Sequence, residues 1–134
     1  MAPTQDVGTV RAQVFELVNA ERGLQGCGAL WEDPRLAAAA QGHADDMAAR
    51  GYFGYSSPEG LTTADRVAAV GYVPSQVVAE NLAGGQQTAQ DVVAGWMGDA
   101  VHRANMVNCQ LVDTGIGVGF GAQGPQWVQV FGAP

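Results

Sequence analysis

Apolar residues recur at three- and four-residue steps from Val7 to Arg22, at Val10, Val14, Leu17, Val18 and Ala20. That spacing predicts a helix with one buried face. Gly23, Gly26 and Gly28 end it. A second helix is expected over Arg35–Arg50, with Asp33 as N-cap and Pro34 at its first position. Its stripe is Leu36, Ala39, Ala40, His43, Met47 and Arg50, and Gly51 stops it. Residues Gly51–Thr62 read as a loop by their Gly, Ser and Pro content. A short helix follows over Thr63–Val70, ended by Gly71, and Pro74 makes Tyr72–Gln76 a connector. The run Val77–Ala83 reads as a strand. Thr88 with Asp91 resembles a capping box and opens a helix over 88–97, with another short helix around 100–107. Thr114–Gly121 and Gln126–Phe131 alternate and predict a β-hairpin closed by a Gly-Pro turn. Residues 1–6 read as a disordered lead and 7–134 as a single domain. The order of elements predicts an α+β fold, a small antiparallel sheet covered by helices.

Composition narrows the functional classes. The chain has 134 residues, 47% of them hydrophobic, which is enough for a substantial core. No apolar run approaches the ~18–20 residues that span a bilayer. Six Arg, no Lys and a net charge of −7 argue against nucleic-acid and anionic-membrane surfaces, which need clustered basic charge. No cationic segment with an apolar stretch behind it stands at the N-terminus. An exported form is therefore expected to have lost its leader. Cys27 and Cys109 belong to no CxxC pair, which argues against a zinc knuckle. The residues alone leave two readings open, a pair of buried thiols or one long-range disulfide.

The glycine-rich TGIGVGFGAQG is not followed by a helical pattern, so it is not a phosphate loop; close packing against its glycines is expected instead. There is no GxSxG elbow, and Ser56, Ser57 and Ser75 all fall in connectors. His43 reads as a partly buried imidazole bonded to a neighbour. Asp45 and Asp46 read as solvent-facing helix charges, and Trp31, Trp96 and Trp127 as core anchors. Asp99 reads as a cap with His102 over the first turn behind it, and Asn81 as a local shaper of the backbone. Glu80 is harder to place, because an inward carboxylate needs a partner. A Glu-Asn pair, a Trp-led helix and then His102–Arg103–Ala104–Asn105 together suggest a site where acid and imidazole share protons, a metal or a ligand.

These residues carry a resemblance. Val18–Asn19–Ala20–Glu21–Arg22, Leu30–Trp31–Glu32–Asp33–Pro34–Arg35–Leu36, His43–Ala44–Asp45–Asp46–Met47–Ala48 and Tyr52–Phe53 come first. Glu80–Asn81–Leu82–Ala83, Trp96–Met97, His102–Arg103–Ala104–Asn105–Met106 and Trp127–Val128–Gln129–Val130–Phe131 follow in order. Together they resemble the CAP superfamily of SCP-like domains, and most of all its secreted actinobacterial members. The resemblance implies a three-layer α-β-α sandwich, export or cell-wall association, a Cys27–Cys109 disulfide and a monomer. It also implies a cleft built from two His and two acids. Glu80 matches the first acid, Asp99 the second with one methylene fewer, and His102 the second His. Tyr55 stands where the first His is expected. A phenol is a poor ligand at neutral pH, so a divalent cation, Zn²⁺ or Ca²⁺, is expected to be held only weakly by Glu80 and His102. The function implied is a binding module for a protein or for lipid- or sterol-like ligands, with Tyr55, Glu80, Asp99 and His102 as its cleft. One alternative is hydrolysis of a peptide or ester by water activated at Glu80 and His102. Another is a structural wall-associated domain with a vestigial site.

Overall fold

In the computed structural model, which describes residues 6–73 and 78–134, helix α1 spans Val7–Leu24. Asp6 caps this helix, its carboxylate accepting from the Thr9 amide at 2.9 Å. Helix α2 covers Pro34–Arg50 with Asp33 as N-cap, and Gly51 ends it in the left-handed conformation at φ 69°. Helix α3 is Thr63–Ala69, held by a reciprocal capping box between Thr62 and Asp65. Helix α4 is Ala89–Met97, capped by Thr88, and α5 is Ala100–Met106, capped by Asp99.

Among the described residues four strands form one sheet: β1 (Trp31–Glu32), β2 (Val78–Gly84), β3 (Asp113–Gly121) and β4 (Gly124–Gly132), in the spatial order β1-β3-β4-β2. The β3–β4 hairpin and the β2–β4 pair are antiparallel, while β1 runs parallel to β3. The expected connector Tyr72–Gln76 and the first residue of the expected strand, Val77, fall partly outside the described residues.

The sheet is covered on both faces. Val10, Val14 and Val18 of α1 pack with Val92, Val93 and Trp96 of α4 against Ile116, Val118, Trp127 and Phe131. On the other face Leu36, Ala40, Ala44 and Met47 of α2 join Val67 of α3 against Leu82, Val128 and Val130. The period-two alternation of the strands therefore separates two apolar clusters, and the architecture is the three-layer α-β-α sandwich.

The glycine run of β3 is a packing device. A Cβ at Gly115 would lie 2.1 Å from the Ala37 nitrogen, and one at Gly117 would lie 2.5 Å from the Gln41 Cα. Helix α2 thus rests directly on the strand backbone, as the sequence predicted.

Three expectations need correction. Trp31 is 76% exposed, because β1 is only a two-residue strand at the sheet edge with no layer above it. The hairpin turns at Ala122–Gln123, with Gly121 paired to Gly124, so Pro125 already belongs to β4. Pro125 has no amide hydrogen to donate, but its carbonyl still accepts from the Gly85 amide at 2.8 Å. Asp46 is not an idle surface charge: it accepts from the Tyr52 hydroxyl at 2.5 Å and from Arg50 at 2.7 Å.

Candidate functional site

Alternation along β2 sends neighbouring side chains to opposite faces of the sheet. Glu80 points to the α2–α3 side and Asn81 to the α5 side. Glu80 is almost fully enclosed, with 1% of its side chain exposed. Its carboxylate accepts from Arg66 of α3 at 3.0 and 3.2 Å and from the Thr63 hydroxyl at 2.9 Å. Burial pushes the Glu80 carboxyl up, and the Arg66 charge and the two hydrogen-bond donors oppose that.

Asn81 does more than shape the strand. Its amide donates to the His102 carbonyl at 3.0 Å and its carbonyl accepts from Asn105 at 2.9 Å. This fully buried side chain sets α5 against the sheet edge. The second motif is thereby positioned by the first. Asp99 starts α5 by accepting from the amides of Val101 and His102 at 3.0 and 3.1 Å. Those bonds, together with nearby His102, hold its carboxyl below the ordinary range. The His102 Nδ1 lies 3.4 Å from Asp99 Oδ1.

Tyr55 joins the two sides. Its backbone carbonyl accepts from Arg66 at 2.8 Å, while its hydroxyl lies 3.4 Å from His102 Nε2. Burial raises the Tyr55 phenol, followed by the charges of Glu80 and Asp99. The four expected residues, with Arg66 between two of them, thus lie along one polar wall in the order Glu80, Arg66, Tyr55, His102, Asp99. Glu80 is its enclosed end, with 1% of its side chain exposed, and Asp99 its open end, with 52%. Among the described residues Glu80 finds its partners in Arg66 and Thr63, not in His102.

His43 stays on the α2 side. It is 2% exposed, and Nε2 donates to the Gly54 carbonyl at 2.8 Å. A carbonyl oxygen can only accept, so this contact fixes the tautomer. Nδ1 is left facing the Tyr52 hydroxyl at 3.4 Å. Burial depresses the His43 imidazole, aided by the Arg66 charge and resisted by the Gly54 bond and Asp46. His43 and Arg66 therefore grip the loop on either side, at Gly54 and Tyr55.

The cation that the tetrad implies would need the Glu80 carboxylate and the His102 imidazole as ligands. Both Glu80 oxygens face a guanidinium, which places positive charge where a metal would sit. Among the described residues no three His, Cys, Asp or Glu side chains are grouped to hold a metal ion. In this arrangement the donor set does not fit a divalent cation.

Two openings flank the wall. One, of about 460 Å³, has Leu82–Gly84 and Trp96 along it and Phe53, Tyr55, Gln86, Asp99 and His102 at its sides. The other, of about 400 Å³, lies between α2 and α3. The Trp96 indole also donates to the Leu82 carbonyl at 3.0 Å.

Arg66 and Arg22 were missed from the sequence. Arg22 is 1% exposed and donates to the carbonyls of Gly28, Met106, Asn108 and Leu111 at 2.9–3.0 Å. A signal existed, since Arg22 continues the four-residue step Val10, Val14, Val18. For Arg66 the only hint was its place three residues after Thr63 on a short helix. The Cys27–Cys109 disulfide is formed, and the Arg22 contacts lie on both sides of it.

The model of the cysteine-rich secretory protein family (CAP) matches residues 15–131. The chain belongs to that family. This CAP domain is 36% identical to the YkwD protein of Bacillus subtilis over 125 residues, which is 93% of the domain and 48% of YkwD. An extracellular SCP-domain protein of Bacillus anthracis superposes at TM-score 0.85 with 29% identity, covering 100% of the domain and 44% of that chain. An outer surface protein of Borrelia burgdorferi has the same fold, with TM-score 0.88 and 18% identity over 99% of the domain and 98% of that chain. The domain spans about half or less of the length of the sequence relatives it matches. Among its described residues no helix is long and apolar enough to cross a membrane.

Proposed function

We propose that this CAP domain is an exported or wall-associated binding module whose ligand is an amphipathic, lipid- or sterol-like molecule. The observation that carries the reading is the groove between α2 and α3. Ala38, Ala39, Gly42, Leu61, Ala69 and Val70 line it, and Asp46, Arg50, Glu59 and Arg66 supply its charges. An apolar trough of about 400 Å³ with a few polar groups is the ordinary form of a small-molecule site. Arg66 lines this groove and carries it to Glu80 and to the Tyr55 carbonyl, which make its polar end. The extracellular and outer-surface descriptions of the Bacillus anthracis and Borrelia neighbours support export.

Hydrolysis is the weaker reading. A general base must reach the proton it removes, and Glu80 is turned inward onto Arg66 and Thr63. The test is equilibrium titration with a fluorescent sterol and with a fluorescent C16 fatty acid. Saturable binding, weakened tenfold or more by Ala69→Asp, is expected. Failure of both probes to bind the unmodified protein rejects the reading.

A further inference from the structure

The second opening differs in chemistry from the α2–α3 groove. Phe53 forms one side of it and also one side of a smaller recess shared with Gly84, Gln123 and Gln126. Phe53 is 55% exposed although the backbone beside it is held by His43 at Gly54 and by Arg66 at Tyr55. A rigidly mounted exposed aromatic is a preformed platform, whose flat face suits the apolar face of a ring-shaped ligand.

The two amides around this platform have an unmet need. Gln126 is 5% exposed, and among the described residues neither its Oε1 nor that of Gln86 has a hydrogen-bond partner. The other end of the Gln126 amide holds the Gly124 carbonyl only at 3.5 Å, so little resists a turn of the side chain into the recess. Both oxygens are enclosed as they stand, and each would meet a ligand's hydroxyl or amide N–H on turning outward. Asp99, half exposed at the far side, adds a third acceptor. Gly84 keeps the floor open, since a Cβ there would lie 3.2 Å from Gln126 Oε1 and 3.4 Å from the Phe53 ring.

Charge and backbone geometry narrow the occupant. The chain carries −7, and acceptors dominate the opening, which disfavours an anion. An extended peptide would pair with the free edge of β2, but the Trp96 indole already takes the Leu82 carbonyl there. A neutral ring with hydroxyl and acetamido donors meets every requirement. We propose that the Phe53 groove, with Gln86, Gln126 and Asp99, is a subsite for N-acetylated carbohydrate, separate from the lipid groove.

The test is calorimetric titration of the whole domain with the tetramer of N-acetylglucosamine, with a glucose tetramer beside it. Saturable binding of the acetylated tetramer is expected, at least tenfold tighter than the glucose tetramer. Phe53→Ala and Gln126→Leu are each expected to weaken it tenfold or more. Gln126→Leu removes an unpaired buried oxygen, so its melting temperature is expected to hold or rise, and lost binding is then not lost fold. Leu24→Ser, on the exposed end of α1, is expected to bind as the parent does. Absence of saturable binding by the parent overturns the proposal. So does binding that survives both groove substitutions, or capture of an extended peptide at Phe53 with no sugar binding. None of these results bears on the α2–α3 groove, which the lipid probes report separately.

Discussion

The Arg66 guanidinium lies 3.0 and 3.2 Å from the two carboxylate oxygens of Glu80, in a pair whose side chains are 12% and 1% exposed. Removing one partner of such a pair strands a buried charge. Arg66→Met is expected to destabilise the domain by about 3–5 kcal/mol, and adding Glu80→Gln to recover a large part of that. Urea unfolding of the two single variants and the double variant measures the coupling. If the losses simply add, the pair is not the unit described here.

The same pair bears on metal dependence. With Arg66 on Glu80, chelator treatment is expected to leave the melting temperature unchanged, and Zn²⁺ to leave it unraised. A fall after dialysis against a chelator, restored by one equivalent of cation, would contradict this account.

His43 predicts a pH effect. Burial depresses its imidazole below the ordinary value of 6.5. The unfolded chain therefore takes up the proton before the folded chain does. The stability involved is intact above pH 6.5 and is lost as the pH falls from there toward the folded-state value. Between pH 7.5 and about pH 5.5 the parent is expected to lose more stability than His43→Gln, above the range where carboxylates dominate. Equal slopes for the two proteins would show that the imidazole is not responsible.

Gly117→Ala tests the contact between α2 and β3. The added methyl would lie 2.5 Å from the Gln41 backbone, where no flexible side chain can yield. A cost of about 3 kcal/mol or more is expected. Gly23→Ala, where nothing lies within 4 Å of the new carbon, is expected to be neutral or stabilising. Thermal melts of the two variants separate local clash from loss of glycine as such.

Arg22 and the disulfide form a fifth test. Reduction of Cys27–Cys109 opens an 82-residue separation and is expected to cost about 4 kcal/mol. Arg22→Met leaves four carbonyls without their donor and is expected to cost about 3 kcal/mol or more. Because Arg22 orders the segments carrying both cysteines, the two losses are expected to be non-additive in denaturant melts with and without reductant.

The caps and the glycine row were legible because their causes are local. Asp33–Pro34 and Thr88 announce helix starts by their own side chains, and alternating glycines leave one face of a strand bare. The role of Trp31 was not legible, since exposure at a sheet edge depends on what fails to cover it. Asn81 was read as a local shaper because its partner, Asn105, lies 24 residues away. The polar wall was half legible. Tyr55, Glu80, Asp99 and His102 follow from the resemblance, but Arg66 is an ordinary helical Arg until α3 folds over β2. The opposed directions of Glu80 and Asn81, by contrast, follow from strand alternation alone.

The disulfide has a mechanical consequence. Tyr55, Arg66, Glu80, Asp99 and His102 all lie between Cys27 and Cys109. A pull applied at the two ends of the chain passes from one cysteine to the other through a covalent bond and bypasses residues 28–108. On a surface exposed to shear, α1 and the β3–β4 hairpin would take up the load first. The chain that carries the polar wall could not be drawn out lengthwise until that bond was broken.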